Sequence, residues 1–416
     1  MPQNVVGDQA SQYSPREVGG NQGPPPVNPY AIIALIAALL GLFPIAIVFG
    51  LIALTYPAGR GIAMAGVVLG VFEATALVVF FFLVGNTFSA AIGNSSLSDP
   101  VAVSTTSAME LLEKPSARQA RPALAATVPV GKNPNGSALE RASHRLYTAN
   151  TGDGTVSVIN TATRAVLATI PVGRKPQGVA IDEVHLALYV ANNGDNSVSV
   201  IDTGTRTVKA TIPAGVGPTA LAVDPVKRSV VYAANSGDNS VSVIDTATGT
   251  VKATIPIGKY PQDVAISSKT HTLYVTNHDD NTVSVIDTDA LRVRATVPVG
   301  RGPIEVSIDS SNEAAYVANS FAGTVSVIDA DTLRVSATIP VGVGPTGIAI
   351  DAGGHTAYVT NANEDTVSVI DTGTRSVAAT IGVGKTPNGI ATESGTHTIY
   401  TNNWGDNTVS VIQSPR

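Results

Sequence analysis

The stretch YAANSGDNSVSVIDTATGTVKATIPIG, Tyr232 to Gly258, decides the fold, because its phrasing recurs along the chain and the last copy is cut short. Runs rich in Val, Ile, Thr and Tyr alternate here with SGDN and TATG, residue types that favour tight turns. The tyrosines that open each copy, Tyr147, Tyr189, Tyr232, Tyr274, Tyr316, Tyr358 and Tyr400, stand 42, 43, 42, 42, 42 and 42 residues apart. VSVI follows nine residues after every one of them. A full period adds a run ahead of the tyrosine: from Pro176 to Gly215 the chain reads QGVAID, ALYVAN, SVSVID and TVKATIPAG, with NGDN and TGTR as turns. Four antiparallel strands per repeat of about 40 residues is the arithmetic of a β-propeller blade, and the absence of a 3.6-residue period excludes a helical solenoid.

Proline assigns the strand order. Pro129, Pro171, Pro213, Pro256, Pro298 and Pro340 hold one position in the fourth run, and Gly382 holds it in the remaining copy. A residue without an N–H belongs at a sheet edge, so the fourth run is expected outermost. The first run carries small residues, Gly178 and Ala180 in one copy and Gly347 and Ala349 in another, which suits a crowded inner rim. After the seventh VSVI comes only QSPR, Gln413 to Arg416, whereas LAATVPVG, Leu124 to Gly131, stands alone ahead of the first copy. If that leading segment completes the last blade, residues 123–416 divide into seven blades of 42. Each VSVI buries three branched aliphatics at about 1.5–3 kcal/mol apiece, and closure spares the terminal blades an uncovered face.

The words YVTN at Tyr274 to Asn277 and Tyr358 to Asn361, followed by DNTVSVIDT or EDTVSVIDT, resemble the YVTN-type β-propeller repeats of YncE-like bacterial proteins. The resemblance implies an exported or surface-located propeller serving as a rigid binding platform. Single Trp404 argues against the tryptophan-rich blades of a quinoprotein dehydrogenase.

Ahead of the repeats the composition changes three times. Residues 1–30 are polar and rich in Pro, Gly and Gln, the signature of a disordered tail. Residues 31–55 carry no charge and residues 62–85 only Glu73, so each is long enough to cross a hydrocarbon core of about 30 Å. Together they are expected to form a transmembrane hairpin over 31–85, which resembles a two-span actinobacterial domain of unknown function. Arg60 in the tight loop, with no Lys or Arg from Asn86 to Glu113, places that loop in the cytoplasm and the propeller outside it. Gly66 and Gly70 offer a close-packing helix face. Residues 86–122, rich in Ser, Ala and Thr, read as a linker.

The expectation is therefore an all-β seven-bladed β-propeller behind a two-helix membrane hairpin, located at the cell membrane with the propeller extracytoplasmic. The chain has no cysteine, so no disulfide, thiolate metal site or thiol nucleophile is available. Residues 123–416 carry 20 Lys and Arg against 25 Asp and Glu, an acidic balance that speaks against nucleic acid as a partner. No cofactor is expected.

On the loop face, GKNP, GRKP, GVGP, GKYP, GRGP, GVGP and GKTP approach the inner strands, and Lys132, Arg174, Lys259, Arg301 and Lys385 would ring the channel mouth. The facing turns carry Asn150, Asn192, Asn235, Asn277, Asn319, Asn361 and Asn403, then an acid three residues on, except at Ala322. Calcium binding is one reading of these turns; ordinary turn chemistry is the plainer one. Two residues past the proline opening each first run, Asp263 and Glu305 replace Gly or Ala in adjacent copies. Beside Lys259 and Arg301 they could form an ion-pair network, hold a metal or a cationic group, or act as acid and base. Phe321 and Trp404 replace polar residues on the same face and are candidate anchors for a partner. His144, His185, His271, His355 and His397 occupy near-equivalent positions in different copies, so a ring would keep them apart.

The leading functional expectation is a platform for a protein, peptide or envelope glycan. The alternatives are a lactonase-like hydrolase using Asp263 and Glu305 around a channel metal, and a purely structural cell-surface protein.

Overall fold

The computed structural model describes residues 122–414, apart from residue 228. The expected tail, the expected membrane hairpin over 31–85, and the expected linker up to Arg121 lie outside the described residues. Among the described residues no helix is long and apolar enough to cross a membrane.

Seven four-stranded antiparallel sheets are arranged as blades, each ordered in chain sequence from channel to rim except the last. Numbered from the first complete repeat, blade 1 runs outward through Pro134–Glu140, Arg145–Asn150, Thr155–Asn160 and Val166–Pro171. Blades 4, 5 and 6 begin with inner strands Pro261–Ser267, Pro303–Asp309 and Pro345–Asp351. Blade 7 contributes Pro387–Glu393, Thr398–Asn403 and Thr408–Gln413, and its outer strand is Ala123–Pro129 from the far end of the repeat array. Ala123 stands opposite Gln413 and Pro129 opposite Thr408, antiparallel. The expected closure and the outermost place of the proline strands are both present.

The core lies in the seams between blades. Strand alternation sends Val156 and Val158 toward blade 2, where they pack with Leu188, Val190 and Ile201, while Ile159 and Leu146 face Val409, Val411 and Val128 of blade 7. Each sheet thus spends its two apolar faces on two neighbours, and no blade is self-sufficient. Six of the seven repeat tyrosines are among the largest fully buried side chains, and Tyr189 is nearly so. Tyr147 donates its phenol proton to Glu140 (2.9 Å) and Tyr232 to Asp224 (3.0 Å), carboxylates at the far end of the inner strand. Burial and the adjacent carboxylate push the Tyr147 phenol up to about 12.

Small residues on the inner rim have a steric cause. A Cβ on Gly178 would stand 2.6 Å from the Ala220 Cα and the Thr219 carbonyl of the next blade, so neighbouring inner strands touch backbone to backbone. The histidines are indeed dispersed: His185 meets Asp182 within blade 2, and His397 of blade 7 meets Asp351 of blade 6, each at 2.7 Å.

Candidate functional site

The loop face is built from two interlocking turns per blade. At the end of each second strand a fully buried asparagine, Asn150 in blade 1, donates its amide to the hydroxyls of residues five and seven positions on, Thr155 and Ser157, both at 2.9 Å. All seven copies repeat this clamp. The acid three residues later accepts a backbone N–H from the approach loop of its own blade: Asp153 from Lys132 (2.7 Å), Asp280 from Lys259 (2.8 Å), Asp406 from Lys385 (2.7 Å). Asp195 and Asp238 do the same for Arg174 and Val216. One residue further, Asn196, Asn239, Asn281, Asp365 and Asn407 take the left-handed conformation that suits their short polar side chains. Each accepts an N–H from the approach loop of the following blade, as Asn281 does from Gly302 at 2.8 Å. The acids are therefore turn staples within a blade and the asparagines staples between blades.

Blade 5 gives up both. Its turn reads Asn319-Ser320-Phe321-Ala322-Gly323: Ala322 replaces the acid and Gly323 the stapling asparagine. Phe321 stands 67 % exposed. Its ring meets His278 of blade 4 edge-on, with centroids 5.0 Å apart, and His278 meets Tyr260 in the same manner at 5.9 Å. Tyr260 is itself 47 % exposed. His278 also shares a 2.7 Å hydrogen bond with Asp279. A contiguous aromatic patch thus spans the loops of blades 4 and 5, flanked by exposed Lys259 and Arg301.

The basic residues named from the sequence are all exposed on the approach loops. Arg174 is the member of this set whose side chain is ion-paired among the described residues, with Asp195. Among the described residues Arg301 reaches only the Phe321 carbonyl, at 3.5 Å. Trp404 is half-buried and its main chain spans the closure seam, with its N–H on Thr386 O and its carbonyl accepting the Asn133 side chain. It is a less open anchor than Phe321.

Asp263 and Glu305 occupy adjacent inner strands and line a central cavity of about 270 Å³ together with Asn135, Gln177, Gln262 and Asn388. Among the described residues no Lys or Arg lines this cavity. The sequence-based alternative of an ion-pair network with Lys259 and Arg301 is not what forms, since neither carboxylate joins an ion pair among the described residues. The cause is direction: the cations project from the approach loops, whereas side chains at the Asp263 position aim into the seam with the next blade. Asp263 accepts the Val306 N–H of blade 5 (2.9 Å) and Glu305 takes a backbone hydrogen bond from Ile348 of blade 6. Thr276 reinforces the first seam by donating to Ile304 O at 2.6 Å.

Burial raises the Asp263 carboxyl well above the usual aspartate range, against the pull of two backbone hydrogen bonds. Burial also raises Glu305, and the neighbouring Asp263 charge raises it further. Such a pair could hold a hard cation or share a proton. Among the described residues no third carboxylate or imidazole joins it.

Tyr260 and His278 escape a reading of one repeat at a time. Tyr260 is the sole aromatic among the seven approach loops, and His278 occupies the turn position that is Thr, Asn, Ser, Ser, Ala and Trp elsewhere. Aligning the seven copies column by column exposes both.

The fold and its loop face define a closed seven-bladed propeller in which blades 4 and 5 depart from a uniform repeat. The sequence profile of the YNCE-like beta-propeller family matches residues 118–310 and 300–397, and the chain belongs to that family. No curated protein matches it. Among solved structures, a chain of Kuenenia stuttgartiensis hydrazine synthase is similar with a TM-score of 0.63, covering 72 % of this chain and 98 % of its own at 20 % identity. At that identity the likeness shows the fold alone.

Proposed function

We propose that the protein is a binding platform that engages a protein, peptide or envelope component through the loop face of blades 4 and 5. One observation carries the reading: blade 5 trades two turn staples for an exposed phenylalanine that packs into an aromatic row with the adjacent blade. A structural loop would keep the staples, and exposed aromatics at the centre of a patch are the residues that anchor interfaces. In this reading Phe321, Tyr260 and His278 form the apolar centre, Lys259 and Arg301 form its charged rim, and the remaining approach-loop cations set the approach of the partner.

The apolar stretches at 31–55 and 62–85 support the further reading that the platform is held at the cell membrane with the propeller on the outer side. A photo-reactive amino acid at position 321 in intact cells tests the platform, with position 186 on an exposed leucine of a different loop as reference. Discrete adducts at 321 and none at 186 are expected. Equal labelling at both positions, or none at 321, would defeat the reading.

A further inference from the structure

Blade 6 lacks a protection that the other six outer edges possess. In blade 1, Pro171 stands opposite Thr155, and the Val172 N–H bonds to Gly154 O at 2.9 Å. This makes Pro171 and Thr155 a non-hydrogen-bonded pair, so the main-chain groups of residue 171 point outward, away from the blade. The repeat proline therefore deletes an outward-facing donor on an open edge. In blade 6, Gly382 stands opposite Thr366, and the Val383 N–H bonds to Asp365 O at 2.9 Å. By the same geometry Gly382 presents both its N–H and its carbonyl to the outside, and so does Thr380 two residues earlier.

Charge, the second common guard of an edge, is missing as well. The outer strand Ser376–Gly382 reads SVAATIG. Blades 2 to 5 carry Lys209, Lys252, Arg292 with Arg294, and Arg334 in their outer strands, while blades 1 and 7 keep Pro171 and Pro129. Blade 6 has neither device. Its edge is exposed at Ser376, Val377, Ala378, Thr380 and Gly382, and a Cβ added at Gly382 would meet nothing within 4 Å among the described residues.

We propose that this edge is a self-association surface on which a second copy of the chain lays its own Ser376–Gly382 strand antiparallel. With the twofold axis at Ile381, Thr380 N–H donates to the carbonyl of Gly382 of the partner subunit, Gly382 N–H donates to the carbonyl of Thr380 of the partner subunit, and symmetry repeats both. Four main-chain hydrogen bonds result; a proline at 382 would leave two. Identical strands paired antiparallel close on themselves and stop at two copies. A twofold pairing also doubles every charge a strand carries, which disfavours the Lys- and Arg-bearing edges and favours this uncharged one. Because each outer strand shares a register shift, here between Val369 and Ile370, the flat part of the edge is short. The contact falls below the roughly 1,200 Å² of a standard stable interface, so the dimer is weak and depends on concentration.

Sedimentation equilibrium of the detergent-solubilised full chain from about 1 to 500 μM, beside the Gly382→Pro variant, tests this. Proline occupies the position in six other blades, so the fold tolerates it. The expected result is a monomer–dimer equilibrium in the unaltered chain and at least a tenfold weaker one in Gly382→Pro. Since the chain has no cysteine, Thr380→Cys and Thr211→Cys provide single thiols on equivalent edges. A short bismaleimide should join the first into dimers and leave the second unjoined. A monomer at every concentration, or dimerisation undiminished by Gly382→Pro, would overturn the proposal. So would a Gly382 amide protected from hydrogen exchange in the monomer, which would mean that another segment covers the edge.

Discussion

The side-chain amide of Asn402 in blade 7 donates to the backbone carbonyl of Asn135 in blade 1, joining residues 267 positions apart. Ser137 donates back to the side-chain oxygen Oδ1 of Asn402 at 3.0 Å. At the same position in blades 4 and 6, Thr276 and Thr360 make comparable links to the next blade, and the other copies have Ala. The closure seam therefore has a polar lock as well as an apolar one. Asn402→Ala should cost roughly 1–3 kcal/mol in chemical denaturation by stranding buried polar groups. Val128→Ala, in the strand that completes blade 7, should cost about 1–3 kcal/mol, whereas Leu124→Ala on its 45 % exposed neighbour should cost under about 0.5 kcal/mol.

The tyrosine columns look alike in sequence but differ in partners. Among the described residues, Tyr232→Phe leaves Asp224 with only the backbone donors of Val226 and Lys227, and should destabilise by about 1–2 kcal/mol. Tyr274 is equally buried but has no carboxylate hydrogen bond of this kind in its blade, where Ser267 takes the acid's place. Tyr274→Phe should therefore cost less. Paired urea titrations at neutral pH measure the difference.

Asp263 and Glu305 predict a pH dependence of definite sign. Their folded carboxyls titrate above the unfolded range, so the folded state holds protons that the unfolded chain releases. Stability is fully present below the unfolded values near 4 and is lost as pH rises through the raised folded values. Asp263→Asn keeps an acceptor for the Val306 N–H while removing the charge. It should raise stability at pH 8 by about 1–2 kcal/mol and flatten the decline between acid and neutral pH, as read by melting temperature against pH.

Restoring the staples of blade 5 should stabilise the loop at the expense of binding. Ala322→Asp supplies the missing acceptor for the approach loop, and Gly323→Asn places asparagine at a left-handed position (φ 64°) that asparagine occupies in other blades. The double variant should gain about 0.5–1.5 kcal/mol, whereas Phe321→Ala should leave stability within about 0.5 kcal/mol and abolish cross-linking at the neighbouring Tyr260 position.

Much of this architecture is legible in the amino-acid sequence. The 42-residue tyrosine period, the prolines of the fourth run and the unmatched LAATVPVG prescribe seven blades, their strand order and the closing strand, because repetition converts one local pattern into a ring. The inner glycines read as small residues for a tight rim, but their contact with the next blade's carbonyl requires knowing how inner strands cross. The same gap explains the mistaken ion-pair alternative for Asp263 and Glu305: sequence places Lys259 and Arg301 four residues away, and only the strand direction shows that those side chains part. The turn acids read as turn chemistry, while their individual partners do not follow from the repeat. The Tyr260, His278 and Phe321 row brings together two loops from one blade and one from the next, a juxtaposition that no single copy contains.

Because Ala123 pairs with Gln413, the first-synthesised strand of the ring must wait for nearly the last. A ribosome releasing this chain delivers six complete sheets while the seventh is still missing three of its four members. Until the final residues emerge, Leu139, Leu146 and Ile159 have no neighbour to cover them, so the nascent chain carries an apolar flank throughout its growth. The long separation of the pairing strands also makes ring closure a slow event, the last step in covering that flank.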